Sequence, residues 1–415
     1  MTQPPPTWSP PAFALLVAAF AAVAYALALA AAALLLKLLG GPWQRSAGAH
    51  WTERARQAYA PGHALIWLAL LVPALAGFIG EMGCGVLTNP QQLSFSAFWL
   101  TAVSALAGVL TIRYRWVRQL WGPRVTPGYY FSGCLVLLLA FLPHLAVFFT
   151  VLFLMPDEMN LRGALIFGVG FLFSAFLARG GAVVVLRSFG LARTAPPETV
   201  AMVQALATEM KVPRTVRVLE LKWPQVNAVA WVTRRTVAFS SAMLSTFTAD
   251  EVRAVTAHEL AHLLEPAWVK TVRVIHALAY LPLVLPIKYG GTSGELLGFG
   301  AAMVLPLAYR RFGRKFEERA DRLQRDALAD GEPYMRSMIR LHETNLMPAV
   351  MPGAQTHPHL YDRLLAGGIT PDFPRPLPPS RSKPVLSALA MALATAAVMF
   401  AMVIAIGIAQ NLLRR

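Results

Sequence analysis

"TADEVRAVTAHELAHLLEP", residues 248–266, governs how the rest of the chain is read. Thr248 and Glu251 stand in the T-x-x-E spacing of a capping box, in which each residue satisfies an amide at a helix start. The spacing predicts a helix from Ala249. On that helix His258 and His262 lie four apart and so share one face. Both imidazoles can point at one metal ion, and Glu259 sits beside it, placed to hold a metal-bound water. This is the H-E-x-x-H arrangement of zinc hydrolases. Two histidines on a capped surface helix are the bland alternative, and the surrounding sequence has to separate the two.

The chain has 415 residues, of which 56% are hydrophobic and only 14% charged. Such a composition predicts a polytopic α-helical membrane protein. The net charge of +16 would point to nucleic acid in a soluble domain. Here the arginines fall in short loops between apolar runs, where they orient the chain and meet anionic headgroups. The lipid bilayer is therefore the expected partner, and nucleic acid is not. Neither Cys84 nor Cys134 belongs to a cysteine motif, and both read as small packing residues. The N-terminus lacks a basic n-region, and the apolar run after it is too long for a signal peptide, so it reads as a retained span.

Apolar runs long enough to cross a bilayer cover 12–39, 63–83, 95–112, 129–155, 163–186, 274–308 and 384–411. The run at 274–308 is broken by a turn composition, "KYGGTSGE", at 288–295. Arg45, Arg54 and Arg56 follow the first run, and Arg113, Arg115, Arg118 and Arg124 follow the third. The positive-inside rule puts both loops in the cytoplasm and the N-terminus outside. Residues 187–272 and the basic stretch 309–315 then share the cytoplasmic side, so 274–308 crosses an even number of times, as a two-span hairpin or a re-entrant loop. The polar region reads as a small α+β domain. "PPETVAMVQALATEM" is an amphipathic helix, and "TVRVLEL", "VNAVAWV" and "TVAFS" are short strands, the last two joined as a hairpin. The expected parts are a five-span region at 1–190, a first catalytic part at 191–272, a transmembrane hairpin at 273–309, a second catalytic part at 310–380 and a last span at 381–415.

A catalytic zinc site needs a third protein ligand and an open position for water. Glu265 and Trp268 stand where a metzincin would continue with Gly and His, which excludes that class. "RKFEERADRLQRDAL", 314–328, supplies a carboxylate instead. Glu317 can ligate while Asp321, four residues on, orients a ligating histidine. Glu318 is a rival that points about 100° away on the helix. His63, His144 and His276 lie in or beside apolar runs and read as packing or interface residues.

These stretches, taken together and in order, resemble the integral-membrane gluzincin peptidases that include HtpX and the type 1 CAAX prenyl proteases. "VNAVA" (226–230) is similar to the family's N-A-[FV]-A strand, "ADEVRAVTAHELAHLL" to its zinc helix, "RKFEERAD" to its third-ligand stretch, and "THPHLYDRLLAG" to its H-P-x-x-x-x-R segment. The span layout is similar to that of the CAAX proteases. The resemblance implies one zinc ion (Zn2+) per chain on His258, His262 and Glu317, with Glu259 as catalytic base. It implies that Asn227, Ala228 and Val229 line the cleft, where a substrate backbone can pair with the strand edge. It further implies that His357 faces the site and steadies the oxyanion and that Arg363 binds acidic groups or the oxyanion nearby. Glu318 departs from the aromatic residue usual after the ligand glutamate, and the last span is extra to the family layouts.

The expected function is that of an integral-membrane zinc endopeptidase acting on peptides or membrane proteins, in quality control or processing. The alternative is a non-proteolytic zinc-binding sensor or scaffold of the same fold. Charges close to the motif, such as Glu251, Arg253, Glu265 and Lys270, argue against a protease with its histidines inside a span. With 30 arginines to 7 lysines the chain reads as the product of a GC-rich genome, which suggests a bacterial inner membrane with the catalytic domain facing the cytoplasm.

Overall fold

The computed structural model describes residues 10–87, 95–328, 331–353 and 358–413. Three long helices come first: α1 (Pro10–Arg45), α2 (Trp51–Leu87) and α3 (Phe95–Trp121). α4 (Pro127–Phe141) and α5 (Pro143–Leu154) follow, then α6 (Leu161–Phe176) and α7 (Ala182–Ser188) around a π-helical break at Leu177–Gly181. The polar region holds β1 (Ala192–Thr194), α8 (Pro197–Glu209), β2 (Arg217–Leu221), β3 (Ala228–Trp231), β4 (Thr236–Ser240), α9 (Ser241–Thr246) and α10 (Ala249–Leu263). After it come α11 (Ala267–Leu278), α12 (Val284–Tyr289), α13 (Gly291–Ala327), α14 (Glu332–Asn345), α15 (Leu360–Ala366) and α16 (Ser382–Leu413).

Among the described residues six helices are long and apolar enough to cross a membrane: 11–45, 51–85, 97–121, 161–188, 267–289 and 382–410. The chain is thus a mostly helical membrane-type protein carrying a small α+β domain. The expected run 129–155 is not one straight helix. It bends by 80° between α4 and α5, where Pro143 lacks an amide and its ring excludes the preceding helical turn. The turn expected over 288–295 shrinks to Gly290–Gly291: α12 runs to Tyr289 and α13 starts at Gly291, whose φ is +56°.

The chain divides into two compact units. The first lies within residues 1–124, 346–353 and 376–415. Its interior is lined by small side chains from α1, α2, α3 and α16, with Ala24, Ala28, Ala64, Ala105, Ala388 and Ala392 fully buried. Lipid tails are as apolar as leucine, so such helices associate through close packing, which small residues permit. Gly108 shows the closeness: a Cβ there would stand 2.6 Å from the Tyr25 carbonyl oxygen of α1.

The second unit, residues 125–345 and 354–375, contains the sheet. Its order is β1-β2-β4-β3, with β2 and β4 parallel and the outer pairs antiparallel. Side chains alternate between its faces. Val218, Val237 and Phe239 meet Val203, Leu206, Val255 and Leu260 of α8 and α10 in one core. Leu219, Leu221 and Ala238 meet Val136, Val183 and Leu186 of α4 and α7 in another. The sheet is therefore covered by soluble-type helices on one face and by membrane-type helices on the other. β3 follows the alternation: Ala228 and Ala230 face the α10 core, Val229 and Trp231 the opposite one.

The β3–β4 turn rests on the break between α6 and α7. Arg234 Nε donates to the Arg179 carbonyl at 3.1 Å. Gly180 adopts φ +84°, and a Cβ at this position would overlap Arg234 Cγ. Both the backbone angle and the close approach require glycine.

Candidate metal centre

The capping box forms as the sequence predicts. Thr248 Oγ1 accepts from the Glu251 amide, and the Glu251 carboxylate accepts from the Thr248 amide. It starts α10 at Ala249, and that start determines which residues face inward. His258, Glu259 and His262 are all buried, none more than 9% exposed.

The second half of α13 packs across α10 and brings Glu317 to the pair. Glu317 Oε2 lies 3.3 Å from His258 Nε2 and 3.5 Å from His262 Nε2. One ligand atom from each residue falls within 4.8 Å of the others, and among the described residues this is the one group able to hold a metal in this way. Ligand atoms about 2.0–2.1 Å from a tetrahedral zinc stand about 3.3–3.4 Å from each other. The two Glu317 separations are close to that edge length, and two imidazoles with one carboxylate suit a zinc-type ion. The rival, Glu318, turns outward. It pairs with Arg314 at 3.0 Å and its side chain is 46% exposed.

Each imidazole has a carboxylate behind it. His258 Nδ1 lies 3.0 Å from Asp321 Oδ1 and 3.0 Å from the Tyr334 hydroxyl. His262 Nδ1 lies 2.8 Å from Glu265 Oε1. Such partners hold the proton on Nδ1 and leave Nε2 for a metal. Asp321 is itself held. It accepts from Tyr334 at 2.8 Å and from Arg363 Nη2 at 2.7 Å. Burial would push its pKa up, but the His258 hydrogen bond and the Arg363 guanidinium outweigh burial and hold the carboxyl well below the usual range. For His262, burial opposes the charge, but Glu265 and Glu317 overcome it and lift its pKa to about 10. The field that attracts a proton so strongly also attracts a dication. Four carboxylates (Glu259, Glu265, Glu317, Asp321) against two guanidinium groups (Arg273, Arg363) leave two negative charges, which one divalent ion balances.

Glu259 is placed apart from the ligands. Burial raises its pKa, the two histidines oppose the rise, and the Ala230 amide donates to it from β3. A carboxylate with a raised pKa suits a general base. Among the described residues β3 pairs with β4 alone, so no strand covers its other edge. The Asn227 carbonyl accepts from the Ser240 amide, so Asn227, Val229 and Trp231 turn their backbone groups toward β4. The groups of Ala228 and Ala230 turn outward, beside α10. Their side chains pack against the α10 core. Asn227 shapes the strand start: its amide donates to Ser240 Oγ and its Oδ1 accepts from the Ala228 amide.

The structure brings His258, Glu259, His262, Glu317 and Asp321 together, with Ala228 and Val229 on the adjacent strand β3 and Asn227 just before it. Val229 itself points its side chain at the opposite core. Arg363 is buried, and its Nη2 contacts go to Asp321 and to Tyr334, the latter at 2.6 Å. His357 lies outside the described residues. Sequence reasoning missed Glu265, Tyr334 and Ala230 as members of the site. Glu265 was findable, since it follows His262 at the i, i+3 spacing that shares a helix face. Tyr334 had no signal, because it arrives from α14.

Residues 196–366 match the model of Peptidase family M48. That stretch contains α10, β3, the Glu317 end of α13 and Arg363. The match, the apolar helices and the ligand group support a membrane-associated, metal-dependent peptidase. No curated protein matches the chain.

Proposed function

We propose that this chain is an integral-membrane zinc endopeptidase that cleaves peptide bonds in membrane-protein substrates, in quality control or processing. The observation that carries the reading is the convergence of Glu317 on His258 and His262, with Glu259 buried beside them against an open strand edge. His258, His262 and Glu317 would hold one zinc ion. When bound, zinc supplies a Lewis acid that polarises the scissile carbonyl and makes a nearby water acidic.

The chain's own residues do the rest. An extended substrate donates its amides to the outward carbonyls of Ala228 and Ala230, whose own amides bond Asn227 Oδ1 and Glu259, and this sets its backbone beside Glu259. Glu259 takes the proton of the attacking water and passes it to the leaving amine. Asp321 and Glu265 hold the two imidazoles in the tautomer that presents Nε2. His357 steadies the developing oxyanion, a contribution worth a few kcal/mol in comparable sites. Arg363 is a positioning residue in this reading: both of its Nη2 contacts support His258 through Asp321 and Tyr334, which displaces the direct role in oxyanion binding expected from sequence.

The proposed location is a bacterial inner membrane, with the peptidase domain facing the cytoplasm and the N-terminus outside. Charge placement in the loops supports it.

The test uses detergent-purified full-length protein and an unfolded membrane protein as substrate. Wild type should bind one zinc and cleave. Glu259→Gln should bind zinc but lose at least about 100-fold in cleavage rate. Full activity in Glu259→Gln would sink the mechanism. Zinc without cleavage in the wild type would favour the sensor or scaffold instead.

A further inference from the structure

His258 and His262 are supported from different places. Behind His258 stand Asp321, Tyr334 and Arg363, from α13, α14 and α15. Behind His262 stands Glu265, in the turn after α10, and Glu265 is held by Arg273 of α11. That helix belongs to the segment 267–289, which is apolar enough to cross a membrane. Arg273 Nη2 donates to Glu265 Oε1 at 2.6 Å and Nε to Oε2 at 3.1 Å. This two-point fork grips a carboxylate whose side chain is only 3% exposed. The same guanidinium lies over the Phe316 ring, 5.6 Å from its centroid. Phe316 is the residue before Glu317. One side chain thus touches the support of the ligand on α10 and the neighbour of the ligand on α13.

We propose that Arg273 is a positioning residue for the metal centre, acting from a membrane helix through Glu265 on His262 and through Phe316 on the turn that carries Glu317. The proposal rests on the metallopeptidase reading above. A carboxylate gripped at both oxygens has one orientation, and the imidazole it faces inherits that orientation. Without the fork Glu265 turns away, and His262 loses the partner that fixes its tautomer. Loss of such a partner lowers metal affinity by about 10–100-fold. Lysine keeps the charge but offers a point where arginine offers a planar fork, so it replaces arginine only in part. The seating of α11 in the membrane thereby sets how well the centre holds its metal.

The experiment compares wild type, Arg273→Lys, Arg273→Gln, Glu265→Gln and the Arg273→Gln/Glu265→Gln double variant, all as full chains in detergent. Zinc affinity is read by competition with a chromophoric chelator, and ligand geometry by the absorption spectrum after cobalt replaces zinc. Arg273→Gln and Glu265→Gln should each lose about 10–100-fold in affinity and share an altered cobalt spectrum. Arg273→Lys should fall between them and wild type. The double variant should be no weaker than the weaker single, because both changes break one chain of contacts. Should Arg273→Gln fail to fold, Arg273→Lys and Glu265→Gln decide the matter. Wild-type affinity and spectrum in those two, or losses that add in the double variant, overturn the proposal. A wild type that binds no zinc overturns the metallopeptidase reading itself, which is a different result.

Discussion

His258 and His262 owe their chemistry to what stands behind them. Both are buried, and each has a carboxylate at Nδ1. Asp321→Asn should therefore lower zinc affinity by about 10–100-fold, measured by chelator competition, and Tyr334→Phe should do so by less. Asp321 also makes a pH prediction. Its folded pKa lies below the ordinary value of 3.8, so its contribution to stability is complete above about pH 4 and is lost as pH falls below it. The decline is at most about 1.4 kcal/mol per pH unit. Thermal unfolding of zinc-stripped protein between pH 5 and pH 2 should show it, and Asp321→Asn should flatten the slope. An unchanged slope in that variant would assign the acid sensitivity elsewhere. The histidine pair and Glu259 were legible in sequence because helical spacing alone places them, and Glu317 through the resemblance of its stretch to a third-ligand stretch. Tyr334 and the turning out of Glu318 were not, because packing between separate helices decides both.

β3 is the element on which the proposed cleavage turns. It is a sheet edge, and its alternation puts two alanines toward α10 and two large side chains into the opposite core. Ala230 turns its amide away from β4 and toward Glu259. Ala230→Pro removes that amide without touching the β3–β4 ladder, a position where edge strands accept proline. The variant should fold and keep its zinc but lose most of its peptidase activity, through a raised KM and a lowered kcat. If it cleaved as wild type does, the amide that Ala230 gives to Glu259 would have no part in cleavage. The three strand stretches were readable from their alternating composition. That β3 lies at the edge was not, since strand order depends on which strands meet in space.

The second unit also carries its own measure of the membrane. Asp157, in the α5–α6 loop, pairs with Lys288 at the tip between α12 and α13. From Gly291 to Glu317 the helix α13 runs about 39 Å, more than the roughly 30 Å of bilayer core, but it is not among the six helices apolar enough to cross one. The two-span hairpin expected from the sequence predicts that Asp157→Cys and Lys315→Cys are labelled from opposite sides by a membrane-impermeant reagent. Labelling from one side would make the α11–α13 hairpin re-entrant. Metal removal should be felt by the whole unit, because the ligands come from helices on either side of that hairpin. A chelator should lower the unfolding temperature by several degrees, zinc should restore it, and Glu317→Ala should not respond. If the chelator shifted the variant as much as wild type, the stabilising ion would be bound elsewhere.

Periodicity and composition are local properties, and they determined what is local here: the apolar helices, the capped start of α10, the shared face of His258 and His262, and the outline of a small α+β domain. Contacts between distant segments depend on packing, and only the tertiary structure decided them. It turned Glu318 outward onto Arg314, placed Tyr334 behind His258, laid the sheet against membrane helices, and turned Arg273 from an apolar span toward the metal centre. The last three have no signature in the neighbouring sequence, because each partner lies on another element and meets the site only once the chain is folded.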